Sequence, residues 1–137
     1  MGSTLKDILL GYDGSDAARR ALDVAADLAT AEDGSVTVVS VVPVYGGLTG
    51  VDPLDNRALH QLELREARDL LQARGVRTVA FLASGDPARE LSRIAREGDY
   101  DAIVVGAPIH RRLARAIWGC TSEHVAAHAD RRVLLVP

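Results

Sequence analysis

Ser35–Val44 reads SVTVVSVVPV, and six of its ten residues are valine. A β-branched run with almost no polar alternation suits a central parallel strand covered on both faces, and Pro43 marks its end. The flanking segments follow from that strand. Upstream, Lys6–Tyr12 (KDILLGY) has the short apolar core of a second buried strand, broken by Asp13-Gly14-Ser15. Ser15 is a good N-cap. From Asp16 onward Ala18, Ala21, Leu22, Ala25, Leu28 and Ala29 recur at helical spacing, with acids in the first turns.

Downstream, Tyr45–Asn56 is rich in glycine and other breakers. Leu59, Leu62, Ala67, Leu70 and Leu71 then form an apolar stripe, predicting a helix of about four turns that stops at Arg74-Gly75. Val76–Ala83 reads as a strand. Gly85-Asp86-Pro87 is the clearest helix start in the chain, because aspartate caps and proline suits the first helical position. Ala88, Leu91, Ile94 and Ala95 supply the buried face of that helix, and Gly98 ends it. Tyr100–Gly106 (YDAIVVG) is a fourth strand, Thr121 or Ser122 opens a last helix, and Arg132–Val136 is a fifth strand.

Strict alternation of strand and helix demands right-handed crossovers and a parallel sheet between helical layers. The expectation is one α/β domain over residues 1–137, a Rossmann-like open sheet of five parallel strands in the order 3-2-1-4-5 with helices on both faces. Ligands of such sheets lie beyond the carboxyl ends of the strands, where strand order reverses. Asp13, Val41–Val44 and Gly106 occupy those ends.

At 137 residues the chain has the size of a single domain, and 47% hydrophobic with 26% charged residues is ordinary for a globular protein. It has no apolar run of membrane length and no signal-peptide pattern, and its one cysteine, Cys120, forms no internal disulfide. The expected location is the cytoplasm. Residues 1–105 carry 11 basic and 17 acidic side chains, whereas 106–137 carry 5 basic and 2 acidic. Arg111, Arg112 and Arg115 therefore form the electropositive end of an acidic protein, suited either to an anion such as phosphate or to a solvated face. Five arginines without interleaved aromatics do not point to nucleic acid.

Catalytic motifs are missing. The chain has no G-x-S-x-G elbow and no G-x-x-x-x-G-K-[ST] loop, and its only lysine, Lys6, lies at the wrong end for a receiver domain. Cys120 beside a helix start has no partner histidine specified, and His124 and His128 supply only half of a metal-site spacing. What remains is Val104–Val125, VVGAPIHRRLARAIWGCTSEHV, with glycines at both ends and hydroxyls at a helix start, an arrangement that can seat phosphate.

The head ILLGYDGSDAARRALDVAADLA, the Gly85-Asp86-Pro87 start and the tail DAIVVGAP…GCTSEHVAAHADRRVLLVP together resemble the universal stress protein family from about Lys6 to Pro137. In nucleotide-binding members of that family the loop after strand four reads G-x-x-G, nine residues, then G-[ST]. The resemblance implies that Gly106 and Gly119 are the first and third glycines, that Asp13 is the acid after strand one, and that Val41 lies at the adenine. Cys120, Thr121, Ser122, Arg111 and Arg112 are the accompanying phosphate-side candidates. Two positions depart from the pattern. Ile109 replaces the second glycine, where a β-branched side chain disfavours positive φ and close approach, and Cys120 replaces a hydroxyl with a poorer donor. The expected function is a non-catalytic stress-response binding or regulatory module with an incomplete adenine-nucleotide site and no certain cofactor. The alternatives are a functional ATP or AMP sensor using Asp13, Val41, Gly106 and Gly119, and a slow ATP hydrolase that has only Asp13 to rely on. The resemblance also implies a homodimer through the last strand, Val133, Leu134, Leu135 and Val136.

Overall fold

The computed structural model describes residues 5–42, 53–107 and 131–137. Its strands are β1 (Asp7–Gly11), β2 (Ser35–Val42), β3 (Arg77–Ser84), β4 (Ala102–Gly106) and β5 (Arg132–Val136), and its helices are α1 (Asp16–Ala31), α2 (Pro53–Ala73) and α3 (Pro87–Glu97). The strands pair in parallel in the order β3-β2-β1-β4-β5, the order expected from the sequence. The last helix, expected from Thr121 or Ser122, lies outside the described residues.

Two layers of apolar side chains clamp the sheet. Ile8, Leu10, Val36, Val38 and Val104 pack under α1 and α2. Leu9, Val39, Ile103 and Val105 pack under Leu91, Ile94 and Ala95 of α3. β2 alternates between the two layers and is buried at five consecutive positions, which is why its sequence reads as nearly continuous valine.

Both sequence-derived caps form. Ser15 Oγ accepts from Ala18 N–H at 3.1 Å, Asp86 accepts from Arg89 N–H at 3.0 Å, and Pro87 opens α3. The face of α3 is the one expected, Ala88, Leu91, Ile94 and Ala95.

α2 departs from expectation in two ways. It has 21 residues and starts at Pro53, so Pro53–Asn56 of the breaker-rich segment is helical, with proline at a first-turn position that it fits. Its buried face is also rotated. Leu64, Ala67 and Leu71 are buried, whereas Leu59, Leu62 and Leu70 are 54%, 61% and 44% exposed. At 3.6 residues per turn the face through Leu71, Ala67 and Leu64 continues upward to Glu63 and His60. The helix thus turns two polar side chains, not two leucines, toward the end of the sheet.

Gly106 closes the architecture. A Cβ there would lie 2.7 Å from the backbone of Ala17 and Ala18, so the first turn of α1 rests directly on the end of β4. Replacing Gly106 with alanine forces that helix start to move. We expect Gly106→Ala to lower unfolding free energy by roughly 1–3 kcal/mol in urea denaturation. Stability equal to the wild type would mean that the contact is looser than described.

Candidate functional site

The candidate site lies where strand order reverses, between β1 and its neighbours β2 and β4. β1 leaves the sheet after Gly11, which stands opposite Val39 and Val105. β2 continues to Val42, paired on its far side with β3. Val39 C=O accepts from Tyr12 N–H at 3.0 Å, and Val42 C=O, on the other edge, accepts from Gly85 N–H at 3.0 Å. Ladder parity therefore turns the N–H and C=O of Val41 to the β1 side, beyond the point where β1 has ended. These groups form a donor and acceptor pair facing the gap.

Asp13 begins the turn that fills the other side of the gap. One carboxylate oxygen accepts from both the N–H and the hydroxyl of Ser15, at 3.1 and 2.7 Å. The second oxygen takes no hydrogen bond among the described residues, so it is available to a donor such as a ribose hydroxyl. Gly14 follows with φ +78°, a conformation that an L side chain rarely adopts. The start of α1 adds backbone N–H groups and a favourable dipole for anions.

Beneath this turn the top of α2 supplies a polar cluster that the sequence reading missed. Ser40, fully buried on β2, places its Oγ 2.5 Å from His60 Nδ1. His60 Nδ1 is also 3.5 Å from Glu63 Oε2. Glu63 lies against the turn, its Cγ 3.2 Å from where a Cβ on Gly14 would stand, and its buried Oε2 has no hydrogen bond among the described residues. Burial, followed by the negative charges of Asp13 and Glu66, pushes the Glu63 carboxyl up to about 7. Burial holds the His60 imidazole below its ordinary value, against an opposing pull from Asp13. Glu66 is paired with Arg19 of α1 at 3.1 Å. The only sequence signal for this cluster was its spacing, because residues 60, 63, 64, 67 and 71 share one helical face.

Of the residues expected at the site, Asp13, Val41 and Gly106 converge at the three strand ends. Arg111, Arg112, Gly119, Cys120, Thr121 and Ser122 lie outside the described residues, as do Ile109, His124 and His128. The described residues contain no group of three or more His, Cys, Asp or Glu placed to hold a metal ion. An open hollow of about 510 Å³ beside α3 is lined by Asp86, Arg89, Ser92 and Arg96 among others, and includes none of Asp13, Val41 or Gly106.

The family model described as "Universal stress protein family" matches residues 4–137. The chain belongs to the universal stress protein family. A universal stress protein of Thermus aquaticus is 34% identical over 134 residues, spanning 96% of this chain and 98% of its own. Among solved structures, a universal stress protein from Burkholderia pseudomallei superposes with a TM-score of 0.77 at 30% identity, over 100% of this chain and 99% of its own. A universal stress protein crystallised in complex with cAMP superposes with a TM-score of 0.79 at 26% identity, over 98% and 99%. No helix among the described residues of this family member is long and apolar enough to cross a membrane.

The Glu63 environment sets a pH dependence of stability. An unfolded chain releases the Glu63 proton near the ordinary 4.5, whereas the folded protein keeps it to about 7. Between those values the native state binds more protons than the unfolded state, so this group makes stability fall as pH rises from about 4.5 to about 7. Glu63→Gln should therefore gain on the wild type by roughly 1–3 kcal/mol on going from pH 5 to pH 8 in chemical denaturation. An equal offset at both pH values would show that Glu63 titrates normally in the fold.

Proposed function

We propose that this universal stress protein is a non-catalytic, stress-linked regulatory module that binds an adenine nucleotide at the β1, β2 and β4 strand ends, gripping the adenosine more firmly than the phosphates. The observation that carries this reading is the convergence of three features on one gap. These are the uncommitted carboxylate oxygen of Asp13, the outward-facing backbone pair of Val41, and the close-packed Gly106. A planar base with a donor and an acceptor on one edge complements the Val41 pair, and a ribose complements Asp13. The related protein in complex with cAMP supports the choice of nucleotide.

The phosphate side is where the sequence departs from the family pattern, at Ile109 and Cys120. A missing hydroxyl costs on the order of 1 kcal/mol and a β-branched residue in place of glycine disfavours positive φ, so added phosphates are expected to contribute little affinity. Gly119, Thr121, Ser122, Arg111 and Arg112 remain the residues proposed to meet whatever phosphate is bound. Hydrolysis needs a metal ligand and a base to position water, and Asp13 alone does not provide both. The reading further includes a cytoplasmic homodimer joined through Val133–Val136, supported by the position of β5 at the sheet edge with Leu135 exposed.

Calorimetry with adenosine, AMP and ATP tests the reading. All three should bind within about tenfold of one another, and Asp13→Ala should weaken each by about tenfold or more through loss of a charged hydrogen bond. Absence of binding by any of the three, or ATP binding more than about a hundredfold tighter than adenosine, would contradict it.

A further inference from the structure

α2 reaches the strand ends with a carboxyl group where an apolar contact would be expected. Glu63 stands on the buried face of the helix, its Cγ and carboxyl within 3.4 Å of the position of a Cβ on Gly14. That glycine is held at positive φ, directly after Asp13. Glu63 therefore lies against the turn, and the neighbour placed to offset a negative charge on it, His60 at 3.5 Å, is held toward its neutral form by burial. Asp13 faces Glu63 from the turn, and Glu66 adds a third carboxylate from α2 itself. His60, also on α2, is nearest through an Nδ1 that lies closer to the Ser40 hydroxyl than to Glu63. From α1 the facing charge is Arg19, already paired with Glu66, and from the end of β1 the titratable group is the Tyr12 phenol, which burial holds in its neutral form. β2 presents the uncharged Ser40.

We propose that Glu63 is a positioning residue for the nucleotide cleft, holding the Asp13–Gly14 turn in its binding geometry only while its carboxyl is protonated, so that nucleotide affinity falls as the solution becomes more alkaline. This deepens, and rests on, the adenine-nucleotide reading above. With the proton in place Glu63 is a compact neutral group that packs on Gly14 and leaves Asp13 as the acidic side chain of the turn that faces the ligand. When the proton leaves to water, Glu63 becomes a partly buried anion close to the carboxyl groups of Asp13 and Glu66. Such an anion has either to gain a cation or to swing into solvent, and the swing removes the support from the turn. A bound phosphate adds negative charge and favours the same protonated form, so the two effects have one sign. The carboxyl changes state near neutrality, inside the range that a cell traverses.

The test uses cAMP, whose phosphodiester has no proton to lose between pH 6 and 8. Calorimetry on the full chain should show the apparent Kd rising about tenfold across that range, because the competent fraction falls from about nine-tenths to about one-tenth. In Glu63→Gln, a permanent mimic of the protonated carboxyl, the Kd should stay near the wild-type value at pH 6 throughout. A wild-type Kd that is constant with pH overturns the proposal and leaves the nucleotide reading standing. So does a Glu63→Gln variant that keeps the wild-type pH dependence. If cAMP binds at no pH, the nucleotide reading fails, and the amide resonances of Gly14 and Ser15 in the nucleotide-free chain decide the role of Glu63. Movement with a midpoint near 7 that Glu63→Gln abolishes supports a proton-held turn, and resonances that stay flat overturn it.

Discussion

The first turn of α1 rests on the end of β4 with no room for a single methyl group at Gly106. This approach fixes the geometry of the gap between β1 and β4. It draws Ser15, and with it the Asp13 carboxylate that Ser15 holds, over the point where strand order reverses. It also aims the backbone N–H groups of the helix start into the same space. The resemblance to the family pattern matches Gly106 to the first glycine of the nucleotide loop. Here it has a second reason to be glycine, one that belongs to packing and holds whether or not a nucleotide is bound.

On the other side of the turn the constraint is electrostatic. α2 crosses β2 and β3 with Leu64, Ala67 and Leu71 buried in the usual way, but its upper turns place His60 and Glu63 against Ser40 and Gly14. Burying a carboxyl beside Asp13 and Glu66 stabilises its neutral form. The end of the sheet is thus polar and titratable on the α2 side, and apolar on the α3 side, where Val41 and Ala83 pack against the layer that contains Val39. A nucleotide seated between them would meet charge at the sugar and hydrophobic surface near the base.

Much of this was legible in the sequence, for physical reasons that differ by element. The valine run of β2 announces a strand covered on both faces, and Ser15 and Asp86-Pro87 announce helix starts, because each signal comes from local chemistry that the fold does not override. Asp13, Val41 and Gly106 could be placed at the strand ends once the alternation was read. α2 was not legible in the same way. Its leucines lie on two sides, so counting apolar positions selected Leu59, Leu62 and Leu70 for a face they do not occupy. By residue type His60 and Glu63 suit a solvated face, and only tertiary packing turns them inward. Pro53 likewise read as part of a loop, although it fits the first turn of a helix.

The gap beyond β1 is proposed as an adenosine site. A crystal of this chain soaked with AMP tests that most directly. The expected result is the base beside the N–H and C=O of Val41, the ribose on Asp13, and the phosphate leading past Gly106. Density for AMP at another surface, or none at the strand ends under millimolar AMP, would contradict it.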